Sequence, residues 1–91
     1  MKTLVVSVDR SDADTVLINT TVDLLHCPIR IGKGALRSLG YNHFRPVELR
    51  PIATALVERE VSRRGRIPLG GFRVADDDLE GLPPAPPRPP R

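Results

Sequence analysis

The sequence predicts a small α+β domain: a mostly antiparallel sheet packed on one main helix, followed by a disordered proline-rich tail. Three observations predict it. Two runs of period-2 alternation open the chain, a run of helical spacing occupies residues 47–64, and six of the last eleven residues are proline. Ninety-one residues suffice for one domain, assigned to residues 1–80, with 81–91 as the tail. Aromatics are confined to Tyr41, Phe44 and Phe72, so the core must be built from small aliphatic side chains. A core of this size is thin.

Residues 2–9 (KTLVVSVD) predict a first strand, with Leu4, Val6 and Val8 on one face and Thr3, Val5, Ser7 and Asp9 on the other. Residues 10–14 are a polar turn. Residues 15–22 (TVLINTTV) predict the second strand of a hairpin, with Val16, Ile18, Thr20 and Val22 on one face. Residues 23–31 either continue that strand or form a third one bent at Pro28, because proline cannot donate to a ladder. Gly32-Lys33-Gly34 reads as a turn. Ala35–Leu39 is long enough for about one helical turn, closed by Gly40. Tyr41–Pro46 is a loop.

The main helix is expected over 47–64, with Arg50-Pro51 marking its true start because proline suits the first helical position. Ile52, Ala53, Leu56, Val57 and Val61 form its apolar stripe. Glu60 is spaced to pair with Arg64, and Gly65 ends the helix. Residues 66–75 (RIPLGGFRVA) predict a last strand, bent at Leu69-Gly70-Gly71. Asp76–Glu80 is an acidic exit.

Charge is distributed unevenly. Residues 1–29 carry a net −2, residues 30–73 a net +7, and residues 74–91 a net −2. The central segment therefore concentrates positive charge that the overall +3 understates. Nine of its ten basic residues are arginine, whose planar fork suits carboxylates and phosphates. From this segment the expected partner-binding residues are Arg30, Lys33, Arg37, Arg45, Arg59, Arg63, Arg64 and Arg66, with Tyr41 and Phe44 as apolar anchors. The acidic exit is placed to fold back and mask part of this surface. The expected function is non-catalytic: a small accessory, inhibitory or assembly protein binding a larger protein or a second copy of itself. Nucleic-acid binding through the same arginines is the alternative. The scarcity of aromatics and the lack of a recognisable reading motif weaken it.

Other features carry less. The tail holds two overlapping PxxPxR matches, set by Pro83, Pro86 and Arg88, then by Pro86, Pro89 and Arg91. Gly32-Lys33-Gly34 lacks the full spacing of a phosphate loop. His26, Cys27 and His43 supply the residue types of a nucleophilic or metal site, the third possibility for function. Neighbours on a strand diverge, however, so His26 and Cys27 are not expected to converge. No cofactor or metal is expected. One cysteine excludes an internal disulfide. The N-terminus shows no secretory-signal pattern and no stretch is long enough to span a membrane. A cytoplasmic protein without membrane contact is the expectation, and the Arg, Pro, Ala and Gly usage suits a bacterial, phage or viral genome.

Overall fold

Strand β2 (Thr15–Val22) organises the sheet, because its alternation is complete: Val16, Ile18, Thr20 and Val22 are buried and the residues between them are half-exposed. A computed structural model describes residues 1–85 and shows an α+β fold around this strand. Strand β1 (Thr3–Asp9) pairs antiparallel on one side of β2. On the other side lie β3 (Leu25–His26) and β4 (Ile29–Gly32), both antiparallel to β2. The last strand, β5 (Phe72–Val74), pairs in parallel with β4 and forms the far edge. The sheet is thus five-stranded and mixed, mostly antiparallel.

One expectation for these strands changes. The register of β1 shifts between Val5 and Ser7, so Thr3, Val5 and Val8 face the core. The extra residue, Val6, is pushed outward and is 65% exposed. A bulge resets the period-2 pattern, so Leu4, Val6 and Val8 do not share one face as simple alternation predicts. Of the two possibilities for residues 23–31, the chain takes the bend at Pro28, which divides that segment into β3 and β4, joined through Cys27, whose N–H still donates to the Thr20 carbonyl at 2.7 Å. The turn before β3 uses Asp23 and Leu24, both at positive φ, the geometry of a tight two-residue hairpin.

One face of the sheet packs on α2 (Pro46–Arg64), which crosses β1 and β2, and on the short α1 (Lys33–Ser38) beside β4. Helix α2 starts one turn earlier than expected. Pro46, not Pro51, takes the first helical position, and Pro51 sits inside. So close to the N-terminus its missing N–H costs one bond, while the early start buries Leu49 beside Ile52, Ala53, Leu56 and Val57. Gly65 closes the helix in the left-handed region, its N–H donating to Val61. The long path through both helices lets β5 lie parallel to β4. Residues 66–71 are loop, so the last strand is shorter than expected.

The domain does not stop at residue 80. Leu82 is buried, the Tyr41 hydroxyl donates to the Pro83 carbonyl at 2.9 Å, and the Ala85 N–H donates to the Leu39 carbonyl at 2.8 Å. The first part of the expected tail is therefore a strap on the core.

Candidate interaction surface

The C-terminal half of α2 carries three of the expected binding residues, and all three are engaged within the chain. Arg59 donates to the Asp78 and Glu80 carbonyls at 3.0 and 3.3 Å and pairs with the Asp78 carboxylate at 3.3 Å. Arg63 lays its fork on Asp78, with bonds of 3.0 and 3.2 Å. Arg64 pairs with Glu60 at 2.9 Å. The acidic exit is thereby latched to the helix. The Arg63 hydrogen bonds, with the charge of Arg59 nearby, hold the Asp78 carboxyl below its usual range. These arginines serve the fold.

The anchors move too. Tyr41 is fully buried and Phe44 almost so; neither offers a surface to a partner. In a chain with three aromatic rings the core takes the largest apolar surfaces available. Arg37 stacks over the outer side of Phe44, 5.5 Å from the ring centre. The Lys33 ammonium donates to the Arg10 carbonyl at 3.1 Å. Arg45 precedes α2, and Arg66 follows it; both are exposed, with no side-chain partner among the described residues. The ten residues expected to share a surface are spread over α1, both ends of α2 and the sheet.

The remaining one, Arg30, belongs to the arrangement that the fold does create. The face of the sheet opposite the helices has no covering layer among the described residues. Along β4 and β5 the parallel register sets Arg30 directly beside Arg73, both side chains on this open face. They border a shallow hollow of about 280 Å³ floored by Leu17 and walled by Pro28, Gly70, Gly71 and Phe72. That is below the roughly 300–1,000 Å³ of a cofactor pocket, and it is open to solvent.

The two guanidiniums differ. Arg30 donates to Thr15 Oγ1 at 2.7 Å, and Thr15 in turn donates to Asp12 at 2.7 Å. Asp9 and Asp12 lie close enough to feel its charge. Arg73 is exposed and has no hydrogen bond or ion pair among the described residues. Arg30 is thus turned toward β2 and partly balanced by Asp9 and Asp12, which leaves Arg73 as the uncompensated cation of the pair among the described residues.

Other candidates dissolve. Cys27 is buried, its thiol donating to the Pro68 carbonyl at 3.3 Å, and burial pushes its pKa up. His26 is exposed on β3. Among the described residues no group of three or more His, Cys, Asp or Glu is placed to hold a metal. Asp9 and Asp12 cap their own turn: Asp9 accepts from the Ser11 hydroxyl at 2.6 Å and its N–H at 2.9 Å, and Asp12 from Thr15 and Asp14. These bonds lower both pKa values. At Gly32, before Lys33 and Gly34, the Asp76 carboxylate packs where a Cβ would stand, a poor neighbour for phosphate. Of the tail motifs, Pro83 is half-buried under the strap, and Pro86, Arg88, Pro89 and Arg91 lie outside the described residues. No helix among the described residues is long and apolar enough to cross a membrane.

Comparison of the chain with known protein families, with characterised proteins and with solved structures gives no match.

Proposed function

We propose that the protein is a non-catalytic interaction protein that binds a larger protein partner through the open face of its sheet at β4 and β5. The observation that carries this reading is the in-register pair Arg30 and Arg73, held on an uncovered face with Arg73 unpaired among the described residues. Arginine beside exposed apolar surface is a common composition at the centre of protein interfaces. The accessory or assembly role and the cytoplasmic setting expected from composition go with this reading.

Nucleic acid is the less suited partner for the same charges. A phosphate track needs several cations along one line. Here Arg59, Arg63 and Arg64 are each ion-paired with Asp78 or Glu60, and Asp9, Asp12 and Asp76 border the open face.

The test is affinity capture from extract of the native host, run with and without nuclease treatment, using the wild type, Arg73→Glu and Arg66→Glu. A protein retained by the wild type and Arg66→Glu and lost with Arg73→Glu supports the reading. Retention of nucleic acid alone, abolished by nuclease, overturns it.

A further inference from the structure

Strand β5 ends the sheet, and its chemistry is unusual at one residue. The Phe72 N–H donates to the Pro28 carbonyl at 3.0 Å, toward β4. Successive residues of a strand direct their backbone groups to opposite edges. The N–H and C=O of Arg73 therefore point away from β4, to the side where no strand pairs among the described residues. The same residue presents its guanidinium on the open face and is solvent-exposed. One residue thus offers a donor, an acceptor and a cation in a single frame.

A strand laid along this edge would place the residue opposite Arg73 on the same face as its guanidinium, because directly paired residues share a face. Arg30 lies beside it in register, held in place by Thr15. We infer that β5 accepts an extended acidic segment of the partner protein by strand addition, with a carboxylate opposite Arg73 and acidic residues at alternate positions. The inference rests on the protein-binding reading above and names the chemistry of that partner. Its backbone would bond to Arg73, and its acid side chains would reach the Arg73 guanidinium, Arg30 being turned toward Thr15 on β2.

The surroundings set the limits of the site. At one end Pro28, Gly70 and Gly71 wall the hollow without charge. At the other, the Asp76 carboxylate against Gly32 repels acid. The acidic positions of the ligand are therefore confined to the Pro28 end. Beside Arg30, the Asp9 and Asp12 carboxylates already balance part of its charge, so Arg73 carries the attraction. A strand this short is itself a guard against indiscriminate edge pairing, and the arginine selects for acidic strands.

The test uses a fluorescein-labelled peptide of alternating Glu and Val, titrated by anisotropy into the full chain at ~20 and ~150 mM salt. Arg73→Gln is expected to weaken binding by about tenfold or more, since a charge-assisted bond is lost. Arg66→Gln, likewise an exposed cation but in the loop between α2 and β5, is expected to leave affinity within about twofold. Both variants should melt with the wild type. A peptide N-methylated at alternate amides on the side that meets β5 is expected to lose binding, and one with its Glu residues grouped together to bind more weakly. Equal losses in Arg73→Gln and Arg66→Gln, or undiminished binding of the N-methylated peptide, would overturn strand addition. The protein-binding reading would then stand if capture of the host partner still depended on Arg73, and fall with it if capture did not.

Discussion

Gly71 stands at φ +89°, and a Cβ there would collide with the backbone and ring of Pro28. Gly70 has a similar φ of +84° but open space around it. Gly71→Ala is therefore expected to destabilise by roughly 2–4 kcal/mol and Gly70→Ala by roughly 1 kcal/mol, read as shifts of the denaturant midpoint. Equal effects would show that the close approach of Pro28 is not the cause. The opposite sign is expected at Leu24. It sits at φ +71°, 88% exposed, in a two-residue turn that favours glycine. Leu24→Gly should raise stability by about 0.5–1 kcal/mol, because it removes strain and almost no packing. Tyr41 and Phe44 show where residue-type reasoning fails: aromatic residues in a loop look like surface anchors until the fold closes over them. Cys27 followed its composition better, as a common buried residue.

Among the elements, the C-terminal strap and its latch carry the most testable consequences. Leu82, Pro83 and Ala85 cover Tyr41 and Leu39, so truncation after Gly81 removes buried apolar contact and leaves the Tyr41 hydroxyl without its acceptor. A fall in melting temperature of several degrees is expected, relative to truncation after Ala85. An unchanged melting temperature would mean that the strap contributes nothing. The latch is acid-sensitive in a defined direction. Arg63 and Arg59 lower the pKa of Asp78 in the folded state. Its contribution is present above the ordinary carboxylate pKa of about 4 and is lost as pH falls through the lower folded value. Asp78→Asn should therefore lower stability at neutral pH and flatten its decline below about pH 4, measured by thermal melts across a pH series. Glu60 and Arg64 were legible from spacing alone, because a helix fixes which residues meet. The partners of Arg59 and Arg63 were not, since they come from a segment fifteen or more residues away.

For the molecule as a whole, the α+β class, the hairpin, the main helix and the apolar stripe could all be read from local periodicity. The β1 bulge, the helix start at Pro46 and the parallel placement of β5 could not. Each depends on which register buries the most apolar surface once the elements meet. The candidate surface shares that origin. Arg30 and Arg73 lie forty-three positions apart, and only the β4–β5 register makes them neighbours. Composition identified arginine as the chemistry of recognition but could not say which arginines the fold would leave free. The most direct test of binding at this face is a set of amide chemical shifts from the ¹⁵N-labelled protein as the alternating Glu–Val peptide is added. Changes centred on Arg30 and on Gly70–Val74, absent in Arg73→Gln, are the predicted result; changes centred instead on Arg45 and Arg50, or no saturable changes, would contradict it.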